Sequence, residues 1–109
     1  LLNFLIKAKQ DGKKVAAYGA AAKGNTLLNY AGIRPDLLEY VVDKNPAKQG
    51  KYMPGSRIPI KGEDYLTRSP VDFILILPWN LKEEVIKQVK AAVRLNTQFI
   101  VAVPNLKVY

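Results

Sequence analysis

The chain has 109 residues, enough for one hydrophobic core and too few for two, and its 17 lysines and arginines against 9 acids give a net charge of +8. It is 49% apolar and 24% charged, the proportions of a globular domain rather than a disordered tail. Cysteine and histidine are both absent, which excludes a disulfide framework, a zinc–thiolate site, a thiol nucleophile and the commonest general base.

The first element is a helical stripe of Leu1, Leu2, Phe4, Leu5, Ile6 and Ala8 that stops at Asp11 and Gly12. No initiator methionine and no capping residue precede it, so residues 1–12 read as a truncated connecting helix and the chain as a fragment of a larger protein. Apolar surface on Leu1, Leu2 and Leu5 is expected to stay exposed for that reason. An apolar run from Val15 to Gly19 predicts a buried strand, followed by a helix over about 23–31 and a second strand over 40–43. A polar stretch with Pro46, Gly50, Pro54 and Gly55 leads to a short strand at 58–60 and a turn of helix near 63–66. The nearly unbroken apolar run from Asp72 to Leu77 predicts a strand buried on both faces. Leu81, Val85, Val89 and Ala92 or Val93 then mark a helix that ends before Asn96, and residues 99–103 form the last strand.

Strands that alternate with helices predict a Rossmann-like α/β three-layer sandwich, a mostly parallel five-stranded sheet of order 3-2-1-4-5 with helices on both faces. Ligands of such a sheet bind beyond the carboxyl ends of the strands, where the winding reverses between the first and fourth. Three loops should meet there.

The first loop, Gly19 to Thr26, follows a strand and opens a helix, the context of a phosphate-binding turn. As a dinucleotide fingerprint it reads Gly19, Ala21, Gly24, with alanine at the middle glycine, and as a P-loop it fails because Asn25 stands where the lysine should be. The competing reading is a plain tight turn with Asn25 or Thr26 as the cap. The second loop begins at Asp43, about 19 residues past Gly24, where dinucleotide folds place the acid that accepts ribose hydroxyls. A solvated turn of Asp43, Asn45 and Pro46 competes with that role. The glycines and prolines from Lys48 to Pro59 specify a shaped loop around Tyr52 and Met53, a lid or partner surface if more than a connection. In the third loop, Asn80 with Glu83 is a capping-box pattern, and Trp79 is either a ligand wall or a staple on the following helix. The carboxylate pairs Glu63/Asp64 and Glu83/Glu84 read as helix-start charges.

The stretches AYGAAAKGNTLLNYAGI (17–33), YVVDKNPAKQGKYMPGSRIPI (40–60) and ILILPWNLKEEV (74–85) resemble the C-terminal domain of S-adenosylmethionine-dependent sugar C-methyltransferases. The resemblance covers nearly the whole chain. It implies a zinc-binding N-terminal domain and a central methyltransferase domain in the longer protein, with the methyl donor and the catalytic base in the central domain. The C-terminal domain then binds and orients a nucleotide-linked, dTDP-type keto-deoxysugar and is inactive alone, binding neither S-adenosylmethionine nor zinc itself. Carried over residue by residue, the resemblance assigns the substrate surface to Tyr18, Gly19, Lys23, Gly24, Asn25 and Thr26, then Asp43, Asn45, Lys48 and Tyr52, with Gly50, Pro54 and Gly55 shaping the second part, then Trp79 and Asn80. Ala31, Ser56, Arg57 and Pro78 depart from the residues usual in the family, and Leu95, Asn96 and Thr97 lack its glycines.

Two other classes remain open: a stand-alone domain for coenzyme A or NAD, which Ala21 disfavours in the nicotinamide case, and a basic nucleic-acid module. The lysines and arginines, among them Lys7, Lys9, Lys13, Lys14, Lys82, Lys87, Lys90 and Arg94, are scattered as solvated surface, and no nucleic-acid motif accompanies them. The resemblance implies the sugar nucleotide and the methyltransferase domain of the same polypeptide as partners, and no nucleic acid or membrane is expected. No apolar run approaches the roughly 20 residues of a membrane span and no export signal is seen, so a cytoplasmic location is expected.

Overall fold

The computed structural model describes residues 1–93, 96–103 and 105–109; Arg94 and Leu95, read above as a surface charge and part of a turn, lie outside the described residues. In chain order the elements are α1 (Leu2–Gln10), β1 (Val15–Tyr18), α2 (Ala22–Tyr30), β2 (Val41–Val42), β3 (Ile60–Lys61), α3 (Tyr65–Arg68), β4 (Phe73–Ile76), α4 (Lys82–Val89), β5 (Gln98–Val101) and β6 (Lys107–Val108). Short 3₁₀ turns at Trp79–Leu81 and Lys90–Ala92 flank α4.

The strands form one mixed sheet of order β3-β2-β1-β4-β5-β6. The pairs from β3 through β5 are parallel, as the alternation of strand and helix demands. The expected five-stranded sheet is corrected to six, because β6 returns antiparallel along β5 with Val108 opposite Ile100. Tyr109 extends that pairing by exchanging backbone hydrogen bonds with Phe99, at 2.6 and 3.0 Å.

The strands β1, β2, β4 and β5 each feed two cores, because successive side chains alternate between the faces of the sheet. Val15 and Ala17 of β1, with Val41, Leu75 and Ile100, pack beneath Leu5 and Ala8 of α1 and Leu28 of α2. Ala16 and Tyr18, with Val42, Ile74, Ile76 and Phe99, pack beneath Leu66 of α3 and Val85 and Val89 of α4. Helices thus cover both faces, and β1 and β4 have no polar face to show, which is why they read as continuous apolar runs. Leu5 is fully buried rather than exposed, while Leu2 and Ile6 on the same helix stay partly open. Phe4 meets Phe73 edge-on at 5.1 Å between ring centroids, which ties α1 to β4. Leu81 lies outside the apolar face of α4, which begins one residue later.

Two glycines fix how α2 enters this arrangement. Gly19 has φ +100°, and a Cβ there would lie 2.7 Å from Cδ of Pro78. A Cβ on Gly24 would lie 2.8 Å from Cβ and Cδ1 of Leu77, so the first turn of α2 rests directly on the end of β4. Among the described residues no helix is long and apolar enough to cross a membrane.

Gly24→Ala is expected to lower stability by about 1–2 kcal/mol, as overpacking outweighs the roughly 1 kcal/mol gain in helix propensity. Thermal denaturation checks this, and an unchanged or raised melting temperature would show that Leu77 gives way without strain.

Candidate functional site

The carboxyl ends of β1, β2, β3 and β4 share one edge of the sheet, and the turn after β1 is held there from two sides. The Ala20 N–H donates to Asp43 Oδ2 at 2.8 Å, and the Lys48 ammonium donates to the Ala20 carbonyl at 3.1 Å. Asp43 is itself fixed: its Oδ1 accepts from the Asn45 N–H at 2.8 Å and its carbonyl accepts from Gln49 Nε2 at 2.9 Å. Both carboxylate oxygens of Asp43 thus hold backbone, within a turn that Asn45 continues by accepting from the Ala47 N–H at 3.0 Å. These are the contacts of a turn-building residue.

Helix α2 starts without a side-chain cap. Its N-cap is Ala21, in extended conformation, and its first turn carries no acid. The expected caps sit inside the helix instead, because it begins earlier than its cap-like residues suggest: Thr26 Oγ1 donates back to the Ala22 carbonyl at 3.0 Å, and the Asn25 N–H donates to the Ala21 carbonyl. The leading amides of such a helix have no intrahelical acceptor and carry the positive end of its dipole.

Two concavities flank this helix start, each of about 330 Å³. One lies against the β2–β3 connection, between Ala20–Ala22 and Asn25 on one side and Lys48, Lys51, Tyr52, Met53 and Pro54 on the other. The second opens at the reversal between β1 and β4, among Gly19, Lys23, Gly24, Leu77, Pro78, Trp79 and Asn80. The Lys23 ammonium lies 5.9 Å from the centroid of the Trp79 ring. Among the described residues no carboxylate lines either lobe. Asn29 braces the first lobe from behind, donating from Nδ2 to the carbonyls of Asn25 and Pro54 at 3.1 and 3.0 Å. Gly55, at φ +81°, lies so close to Asn29 that a side chain there would collide with it. The carboxamide oxygen of Asn25 is buried without a hydrogen-bond partner.

Of the residues predicted from sequence, Gly19, Lys23, Gly24, Asn25, Lys48, Tyr52, Trp79 and Asn80 line these lobes, and Asp43 supports them from outside. Thr26 and Asn45 line neither lobe, being tied to local backbone. Tyr18 is turned to the opposite face of the sheet by the strand's two-residue period. There its hydroxyl donates to Glu63 Oε1 at 3.0 Å and accepts from Gln88 Nε2 at 2.8 Å, with Gln88 also donating to Glu63 at 2.6 Å. Asn80 is not the cap of α4: it lies within a 3₁₀ turn, the N-cap is Leu81, and neither the turn nor the helix has a side-chain cap. Trp79 lines the second lobe and also packs against the core beneath α4. Lys51 and Asn29 escaped the sequence reading: Lys51 lies within the glycine- and proline-punctuated loop, whereas Asn29, on α2, meets that loop at Pro54 only through the fold.

The family model of the C-methyltransferase C-terminal domain matches residues 1–104. The C-methyltransferase NovU of Streptomyces niveus is 39% identical over 98 residues, which are 90% of this chain and 23% of that protein. The chain therefore spans less than a quarter of the curated relative that it matches. Among solved structures, UDP-D-quinovosamine 4-dehydrogenase from Vibrio fischeri has a TM-score of 0.58 at 23% identity, covering 85% of this chain and 79% of that one. RSP, a Rex-family repressor, has a TM-score of 0.56 at 17% identity, covering 94% of this chain and 53% of that one. At these identities the two structures share the Rossmann-like fold with this chain and nothing more specific.

Burial pushes the Tyr18 phenol up from 10.0 to about 12, helped by the hydrogen bond to Glu63 and by that carboxylate's charge. Because the folded state holds this proton more tightly, the stabilisation is complete below the unfolded value of 10.0 and is lost as pH rises toward about 12. Tyr18→Phe should reduce the alkaline loss, the rest of which belongs to Tyr40, whose phenol is also pushed up by burial, and cost about 1 kcal/mol at neutral pH. Denaturant unfolding at pH 7 and pH 11 checks both; a variant with the parent's full alkaline loss would show that Tyr18 is not its source.

Proposed function

The chain belongs to the family of C-methyltransferase C-terminal domains, and on that premise we propose that it is the substrate-holding domain of an S-adenosylmethionine-dependent enzyme that methylates carbon in a nucleotide-linked keto-deoxysugar of the dTDP type. The observation that carries this reading is the uncapped start of α2, ringed by Lys23, Lys48 and Lys51 between two lobes free of carboxylates. A diphosphate linker matches it: backbone N–H groups and lysine ammoniums are donors to phosphate oxygens, and the helix dipole favours the negative charge.

The domain's contribution is binding and orientation. Lys23 and the first amides of α2 hold the linker, while the lobes receive the groups on either side of it. The reaction removes a proton from the carbon beside the keto group and passes a methyl group to the resulting enolate. S-adenosylmethionine supplies that methyl group, and this reading places it on another domain of the longer protein. The residues here do not fit zinc: the chain has neither histidine nor cysteine, and the described residues hold no cluster of three carboxylates.

Calorimetric titration with a dTDP-sugar, dTDP, coenzyme A, NAD and S-adenosylmethionine tests the proposal. Saturable binding of the dTDP ligands alone is expected, with Lys23→Ala weakening it about tenfold, the equivalent of ~1.4 kcal/mol. Preference for coenzyme A or NAD would overturn the reading.

A further inference from the structure

The lobe beside the β2–β3 connection takes its walls from two places in the chain, Asn25 on α2 and Tyr52, Met53 and Pro54 on the loop before β3. We propose that Asn29, which lines neither lobe, is the positioning residue that sets the gap between those walls. A single carboxamide nitrogen joins them: Asn29 Nδ2 donates to the Asn25 carbonyl at 3.1 Å and to the Pro54 carbonyl at 3.0 Å. Both acceptors belong to residues that line the lobe, one from each side. The contact needs no ligand; its consequence for binding rests on the sugar-nucleotide reading.

Asparagine is a weak helix former because its side chain competes with the backbone, so its place in α2 calls for a tertiary contact. It does not cap the helix end, which the Gly32 N–H closes on the Asn29 carbonyl at 3.2 Å. Two acceptors require two hydrogens on one nitrogen at the end of a short side chain, where serine brings one hydrogen and a carboxylate none. Gly55 makes the seat: at φ +81° it approaches so closely that a Cβ there would collide with the Asn29 carboxamide. The root of the loop is fixed independently. The Met53 N–H donates to the Ile58 carbonyl at 2.8 Å, the Arg57 N–H donates to the Met53 carbonyl at 2.9 Å, and the side chains of Met53 and Ile58 are buried in the same core as Leu28 of α2. Residues 54–57 form the tip, with Pro54, Gly55 and Arg57 exposed, and this tip is what Asn29 fastens to the helix. Without the carboxamide the root stays in place and the tip is released, so a ligand has to order on binding a wall that the parent presents preformed.

Amide hydrogen exchange and calorimetric titration with a dTDP-linked keto-deoxyhexose, on the parent and on Asn29→Ala, test this role. Faster exchange confined to the Met53 and Arg57 amides is expected, together with binding weakened about tenfold. Gly55→Ala leaves Asn29 in place but drives its carboxamide from the seat, and should produce the same pair of changes. Asn29→Ser, with one hydrogen of the two, should fall between Asn29→Ala and the parent; these two variants decide the matter where Asn29→Ala does not fold. Val85→Ala truncates the core of the opposite face, so it should raise exchange evenly through the sheet and leave binding unchanged. Binding by Asn29→Ala within twofold of the parent would overturn the proposal. An equal loss in Val85→Ala would overturn it too, by assigning the effect to global stability. Absence of binding heat from the parent would instead remove the sugar-nucleotide reading, and the exchange data would still decide the positioning role, which unchanged exchange at Met53 and Arg57 excludes.

Discussion

The arrangement of this molecule depends on two missing side chains. At Gly19 and Gly24 the chain passes so close to Pro78 and Leu77 that no Cβ fits, and this draws the start of α2 down onto the junction of β1 and β4. With the helix start fixed there, the intervening peptide of Ala20 faces the neighbouring loop, where Asp43 takes its N–H and Lys48 its carbonyl. Two loops far apart in sequence become one wall. The concavities on either side follow from that wall, one toward the β2–β3 connection and one toward the loop after β4.

Charge follows the same division. The one acid beside the turn has both oxygens occupied by backbone donors, so its charge supports the loop instead of lining a lobe. Glu63 is held on the other face of the sheet by Tyr18 and Gln88. That cluster links β1, the segment before α3, and α4 at the partly exposed edge of that face. The two lobes themselves carry lysines and helix amides, in a protein of net charge +8, while Glu83 and Glu84 lie just beyond Trp79 and Asn80. Electrostatics alone would accept any anion of suitable shape; the shape comes from Met53, Pro54, Trp79 and the small residues between them.

Much of this was legible in the sequence, and the failures have identifiable causes. The strands β1 and β4 announce themselves because both faces are buried, so no polar residue interrupts VAAY or FILI. Order from β3 to β5 follows from right-handed crossovers and the reversal that they impose. β6 was invisible: two exposed residues, Lys107 and Val108, carry neither alternation nor an apolar run, and only pairing with β5 makes them a strand. Capping failed for a different reason. Asn25, Thr26 and Asn80 are cap-like residues near helix starts, but close packing at Gly24 and the 3₁₀ turn after Pro78 set the helix boundaries instead. Tyr18 adjoins the binding turn in sequence yet faces away from it, since one step along a strand changes the side of the sheet.

The same sheet serves proteins as different as a sugar-nucleotide dehydrogenase and a Rex-family repressor, so the fold alone says little about what this domain holds. The difference has to lie in the loop residues. An acid after the second strand stands where dinucleotide folds accept ribose hydroxyls. Here each of its oxygens accepts one backbone N–H, from Ala20 and from Asn45, so the residue is part of the scaffold of the turn. Around it stand the ammonium groups of Lys23, Lys48 and Lys51, the rings of Tyr52 and Trp79, and an asparagine oxygen without a partner among the described residues. A chain without histidine or cysteine can build such a surface in full, because holding an anion between two apolar walls needs donors and shape but no group that changes its charge near neutral pH.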